Sequence, residues 1–128
     1  MARVLIIEDN PANMLLMVYL LKTFRHTPLE ATHGEAGLEL AQSTLPEIIL
    51  CDLQMPGIDG YEIARRLKAD TELKSIPLVA VTAYAMVGDR ENALAAGFDG
   101  YIAKPINPET FVGEVEKFLR SGPDSAVD

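Results

Sequence analysis

Apolar residues follow two rhythms along the chain. Three short runs, Val4-Leu5-Ile6-Ile7, Ile48-Ile49-Leu50-Cys51 and Leu78-Val79-Ala80-Val81, are apolar without interruption. A strand with one wet face alternates polar and apolar residues, so unbroken runs predict strands covered on both faces, as in a parallel sheet. Weaker strands are expected over Thr27–Ala31 and Gly100–Ala103.

Helical spacing fills the intervals. Asn10-Pro11 supplies an N-cap and a first-turn proline, after which Met14, Met17, Val18, Leu21 and Phe24 recur as one stripe. Asp59 can cap a helix carrying Ile63 and Leu67. Asn107-Pro108 repeats the cap-plus-proline signal before Phe111, Val112, Val115, Phe118 and Leu119. Poorer helices are predicted over 34–42 and 84–96, with internal Gly37 and Gly88, the second ending at Gly97 as a C-terminal cap. Strand and helix thus alternate five times. That order implies an α/β fold with a doubly wound parallel sheet, helices on both faces and a ligand crevice beyond the carboxyl ends of the strands.

Composition narrows the class. With 128 residues the chain suits one domain, expected over 1–120 with a short flexible tail at 121–128. Eleven Lys+Arg against 19 Asp+Glu give a net charge of -8, which disfavours nucleic acid or an anionic membrane as partner. The longest apolar run, 14–21, is too short to span a bilayer. Cys51 is the single cysteine, so no internal disulfide can form, and the start resembles no secretory signal; a reducing cytoplasm is expected.

The candidate chemistry lies at the strand ends. The first strand runs into Glu8-Asp9, the third into Asp52, the fourth into Thr82 and the fifth into Lys104-Pro105. In a 2-1-3-4-5 strand order the first and third strands are neighbours, so Glu8, Asp9 and Asp52 converge and repel unless protonated or bridged by a cation. A hard divalent ion such as Mg²⁺ relieves the repulsion and leaves positions open for phosphate oxygens. Three carboxylates, one Mg²⁺ and Lys104 sum to zero formal charge. Asp52, alone after a buried strand, is the candidate nucleophile for an aspartyl phosphate, and Glu8 with Asp9 the candidate metal pair. Thr82 can donate to a phosphoryl oxygen. Lys104-Pro105 is a candidate cis peptide, the bond type for which cis is cheap, and the backbone carbonyl of Gln54 a candidate metal ligand.

These residues carry a family resemblance. Glu8-Asp9-Asn10, Asp52-Leu53-Gln54-Met55-Pro56-Gly57 with Asp59-Gly60, Thr82-Ala83 and Lys104-Pro105 stand in the order and approximate spacing of the receiver domain of two-component response regulators, which the chain resembles over about residues 3 to 120. The narrower similarity is to stand-alone receivers of the cell-cycle type and to those of hybrid kinases, through Asp9-Asn10, Ala83-Tyr84-Ala85-Met86 and Ile102-Ala103-Lys104-Pro105-Ile106. The resemblance implies a flavodoxin-like five-stranded sheet of order 2-1-3-4-5 with five helices. It makes Asp52 the phosphoacceptor for a histidine kinase or histidine phosphotransfer protein, Glu8 and Asp9 the Mg²⁺ pair, Thr82 the switch hydroxyl, Lys104 the phosphoryl contact and Tyr101 the switch aromatic. Such a domain catalyses only its own phosphorylation and dephosphorylation and signals to a downstream protein target.

Other residues divide between function and packing. Cys51 should point to the face of its strand opposite Asp52 and into the core. His26 and His33 lie near turns without clustered ligands and are expected at the solvated surface. The first helix is apolar all round, which leaves Leu16 and Leu20, with Leu15 or Tyr19, for a docking or self-association patch, with the chain a monomer or weak dimer. The resemblance associates this helix with docking the phosphodonor. The fourth helix, poor in bulky apolar residues, is expected to shift easily and, with Tyr101 and the last helix, to report phosphorylation. A flavodoxin-type electron carrier would want a Ser/Thr/Gly-rich loop after the first strand, and a haloacid dehalogenase-type phosphatase Asp-x-Asp there; neither is present. The alternative that remains is a phosphate-independent, receiver-like protein-binding module.

Overall fold

The structure is a computed structural model that describes residues 1–83 and 88–120. Its strands are β1 (Arg3–Ile7), β2 (Thr27–Ala31), β3 (Ile48–Cys51), β4 (Leu78–Thr82) and β5 (Gly100–Ala103). Its helices are α1 (Pro11–Thr23), α2 (Gly34–Thr44), α3 (Gly60–Ala69), α4 (Asp89–Ala96) and α5 (Phe111–Arg120). The sheet is parallel throughout and ordered β2-β1-β3-β4-β5, with the three unbroken apolar runs in its middle.

Alternation along each strand divides the core into two layers. Val4, Ile6, Ile48, Leu50, Val79 and Val81 face one way and pack with Met14, Met17 and Leu21 of α1 and Phe111 and Val115 of α5. Leu5, Ile7, Ile49, Cys51 and Ala80 face the other way, against Ala41 of α2, Ile63 and Leu67 of α3 and Ala93 of α4. Cys51 is fully buried in that second layer, as its place before Asp52 requires. Among the described residues no helix is long and apolar enough to cross a membrane.

The caps agree with the sequence at three helix ends. Asn10 Oδ1 accepts the Asn13 N–H at 3.0 Å, Asp59 Oδ1 accepts the Glu62 N–H at 3.0 Å, and Gly97 takes a left-handed φ of 116° at the end of α4. Two details differ. Asn107 does not cap α5 directly: its side chain accepts the N–H of Glu109, two residues on, and its carbonyl accepts those of Thr110 and Phe111, so a turn precedes the helix. Gly88 is not internal to α4 but its N-cap, because a φ of 97° cannot continue a right-handed helix. Residues 84–87, where that helix was expected to begin, and the tail at 121–128 lie outside the described residues.

His26 is also misplaced by sequence reasoning, while His33 is exposed as expected and caps α2. His26 is only 6% exposed. Its Nδ1 accepts the Ala2 N–H at 3.0 Å, which leaves the proton on Nε2 to be donated to Glu116 Oε2 at 2.8 Å. One ring thereby ties the chain start to α5. The expectation for α1 needs correction as well. Leu20 is buried and Leu16 half-buried, because α5 lies against that flank and brings both into the layer of Val115 and Phe118. The side chains left in solvent are Leu15 and Tyr19, with Phe24, expected in the packing stripe, exposed at the helix end.

Candidate functional site

Ladder hydrogen bonds that run one residue past the strands place the site. The Glu8 N–H donates to Ala31 O at 3.0 Å, the Asp52 N–H to Ile7 O at 3.1 Å and the Lys104 N–H to Thr82 O at 2.9 Å. Each functional residue is therefore held by its neighbouring strand before its side chain makes any contact. Glu8, Asp52 and Thr82 are buried and Asp9 is exposed at the rim.

Lys104 is the centre of the cluster. Its Nζ lies 2.7 Å from Glu8 Oε1 and 2.7 Å from Asp52 Oδ2, with 9% of its side chain exposed. It reaches them across the sheet from β5, and the Lys104-Pro105 peptide is cis, as the X-Pro sequence allowed. The remaining oxygens are partly engaged: Glu8 Oε2 accepts the Asn10 N–H at 3.0 Å and Asp52 Oδ1 the Gln54 N–H at 3.2 Å. Glu8 Oε1 is buried and ion-paired with Lys104 but accepts no directed hydrogen bond among the described residues.

Protonation reflects this crowding. Burial raises the Glu8 carboxyl above 4.5, with Lys104 and the Asn10 N–H opposing the rise. Burial also works against the Lys104 charge, but the Asp52 and Glu8 carboxylates outweigh it and hold the ammonium above 10.5. A carboxyl raised in the folded state binds its proton more tightly there than in the unfolded chain, so ionising it as pH rises costs stability. Glu8→Gln is accordingly expected to raise the denaturation midpoint at pH 7 in metal-free buffer. That gain should vanish as pH falls below 4.5, where Glu8 is protonated in both states. Urea titrations at the two pH values measure the difference, and a gain of equal size at both would contradict the assignment.

Glu8, Asp9 and Asp52 each present a carboxylate oxygen, all within 4.8 Å of one another. An all-oxygen donor set with a buried, incompletely bonded carboxylate oxygen fits a hard divalent cation. Thr82 lies beside Lys104 through the pairing of Thr82 with Ala103. Tyr101 is half-buried and packs on the layer of α3 and α4; its hydroxyl is buried without a hydrogen-bond partner among the described residues. Burial first, then the Asp89 charge, pushes that phenol above 10.

The sequence-predicted residues Glu8, Asp9, Asp52 and Lys104 are thus brought together, and Thr82 adjoins them. Leu20 is buried and Leu16 half-buried against the core, so neither is one of the exposed large hydrophobic residues described. Two contributors were missed. The Asn10 N–H orients Glu8, a backbone role invisible to residue type. Gly60 backs directly onto the Asp52 peptide: a Cβ there would stand 2.5 Å from Asp52 O and 2.8 Å from Leu53 Cα. The Asp59-Gly60 pair was legible only as a turn and cap.

Comparison with known proteins agrees with this geometry. The model of the response regulator receiver domain matches residues 4–116. The polar-differentiation response regulator DivK of Brucella anthropi is 39% identical over 116 residues, covering 91% of this chain and 94% of that protein. A putative response regulator from Chloroflexus aurantiacus superposes with a TM-score of 0.88 at 28% identity, over 92% of this chain and 97% of that one. The receiver domain of the sensor histidine kinase PA1611 from Pseudomonas aeruginosa, which holds a magnesium ion in its active-site cleft, does so at 0.82 and 30% identity, over 94% and 96%. With five parallel strands in the order β2-β1-β3-β4-β5 and an acidic cluster joined to a lysine at their carboxyl ends, the chain belongs to the response regulator receiver domains of two-component signalling.

Proposed function

We propose that Asp52 is the phosphoacceptor, charged by a phosphohistidine on a kinase or phosphotransfer protein, and that the product alters contacts with a downstream protein. The observation that carries this is the single ammonium of Lys104 held between the carboxylates of Glu8 and Asp52, with Asp9 in reach. Glu8, Asp9, Asp52 and the Gln54 backbone carbonyl would hold Mg²⁺, which supplies charge neutralisation for phosphoryl oxygens when bound.

In the transfer an Asp52 carboxylate oxygen attacks phosphorus in line as the N–P bond of the donor breaks, and the bonding pair returns to the imidazole nitrogen. Lys104 loses one carboxylate partner and gains a phosphoryl oxygen. Thr82 donates its hydroxyl to another, and Tyr101 follows the space Thr82 vacates, carrying the change to the surface of α4, β5 and α5. Water attacking the acyl phosphate resets the domain, so the chemistry is limited to the chain's own phosphorylation and dephosphorylation. A cytoplasmic setting suits both the donor and the reduced, buried thiol of Cys51.

Incubation with Mg²⁺ and a small acyl-phosphate donor, followed by intact-mass measurement, tests the reading. The chain is expected to gain one phosphoryl group, and Asp52→Ala none. No gain in the unaltered chain would leave the phosphate-independent binding module instead.

A further inference from the structure

Helix α2 keeps two glycines where alanine would favour the helix, Gly34 at its start and Gly37 inside it. Both are buried, and neither has a positive φ, so close approach rather than backbone freedom is what they provide. A Cβ on Gly34 would stand 2.5 Å from Cγ1 and 2.9 Å from Cδ1 of Ile58, and one on Gly37 2.5 Å from Cδ1 and 2.7 Å from Cγ1 of Ile7. Two isoleucines fill the places of two missing side chains.

Both isoleucines belong to segments that carry the site. Ile7 ends β1 and immediately precedes Glu8-Asp9. Ile58 lies in the loop that leaves Asp52, passes Gln54 and turns at Gly57, whose φ is 82°, before Asp59 caps α3. The ends of that loop are tied by backbone donors: the Gln54 N–H reaches Asp52 Oδ1 at 3.2 Å and the Gly60 N–H reaches Leu53 O at 3.0 Å. Its apolar side chains are Met55, buried, and Ile58, half-buried against the layer that α2 and α3 cover. Gly34 and Gly37, three residues apart, share one face of α2. That face therefore receives the end of β1 and the loop after Asp52 together.

We propose that Ile58, seated on Gly34, is a positioning residue for the Gln54 backbone carbonyl, and that α2 is the template that fixes this loop relative to Glu8 and Asp9. The inference rests on the Mg²⁺ reading given above, since that cation takes ligands from both segments at once. Isoleucine suits the task. Branched at Cβ, it has little χ1 freedom, so a push at Cγ1 is passed to the loop backbone instead of being absorbed by a rotation. Neither Ile58 nor Gly34 touches the cation or the phosphoryl group; both act through the loop.

Ile58→Ala empties the socket and Gly34→Ala fills it. Each is expected to weaken Mg²⁺ binding roughly tenfold in a calorimetric titration with MgCl₂, and to speed amide exchange at Gln54 before any metal is added. Ile58→Val keeps both γ carbons and should stay close to the parent affinity. In the double variant the new methyl takes space that the isoleucine left, so it should bind Mg²⁺ better than either single variant, whereas independent defects would multiply. Ile76→Ala separates positioning from bulk packing. Ile76 is half-buried against the same layer but lies just before β4, at the opposite edge of the sheet, so its loss should lower the melting temperature and leave Mg²⁺ affinity unchanged. Parent-like affinity in Ile58→Ala overturns the proposal, as do equal losses in Ile58→Ala and Ile76→Ala or a double variant at the product of the single losses. A parent chain that binds no Mg²⁺ overturns the metal reading itself, and this inference with it.

Discussion

Lys104→Ala is expected to lose about 3–5 kcal/mol of folding stability at pH 7, the cost typical of removing one partner from a buried ion pair. Domains of this size are stable by only about 5–15 kcal/mol, so the loss is a large part of the whole. The reason is local. Lys104 Nζ sits 2.7 Å from a carboxylate oxygen of both Glu8 and Asp52, which are 1% and 8% exposed, and without it two buried anions face each other. The deficit should shrink as pH falls. Lys104 lowers a Glu8 carboxyl that burial has already raised, so in its absence Glu8 takes up a proton at higher pH and the repulsion ends earlier. Millimolar Mg²⁺ should restore part of the midpoint by binding only the folded state. Urea denaturation of both proteins at pH 7 and pH 5, with and without Mg²⁺, measures all three effects. A midpoint unchanged by the substitution at pH 7 would sink the idea that this lysine neutralises the pocket.

The second large effect comes from a residue with no side chain. Gly60→Ala puts a Cβ 2.5 Å from the carbonyl oxygen of Asp52 and 2.8 Å from Leu53 Cα, both backbone atoms without rotamer freedom. Either α3 recedes or the Asp52 peptide moves. Overpacking of this kind costs about 1–3 kcal/mol, and a misplacement near 1 Å at a reacting group slows chemistry by up to about 100-fold. The expected result is a lower melting temperature together with acyl-phosphate labelling of Asp52 slowed by roughly 10- to 100-fold. Gly113→Ala is the control: nothing lies within 4 Å of its Cβ in α5, and it should gain up to about 1 kcal/mol from helix propensity. If both variants label at the parent rate, the contact of Gly60 with Asp52 does not position the acceptor.

Much of this is legible in the sequence. The runs at 4–7, 48–51 and 78–81 identify buried parallel strands because a strand covered on both faces has no polar alternation. The residues that follow such strands must share one sheet edge, and this is why Glu8, Asp9, Asp52, Thr82 and Lys104 could be read as one site from their positions alone. The Asp59 cap and the Gly97 terminus are equally local, each set by one side chain or one φ angle.

Helix surfaces were less legible, and α1 shows why. Its periodicity gives the stripe that packs on the sheet, but which flank a neighbouring helix covers is decided by a segment some ninety residues later. α5 takes the side of Leu16 and Leu20 and leaves Leu15 and Tyr19 in water. His26 follows the same rule, since its two partners, Ala2 and Glu116, come from opposite ends of the chain.

The sequence by itself therefore determined the strands, their parallel pairing and the chemistry gathered at their carboxyl ends, because these follow from unbroken apolar runs, from the 3.6-residue period between them and from residue type. Only the tertiary structure decided which atoms meet: that one ammonium spans Glu8 and Asp52, that Gly60 presses on the Asp52 peptide, and that α1 shows Leu15 and Tyr19 to solvent. Those outcomes depend on contacts between segments distant in the chain, and no local pattern encodes the distance between them.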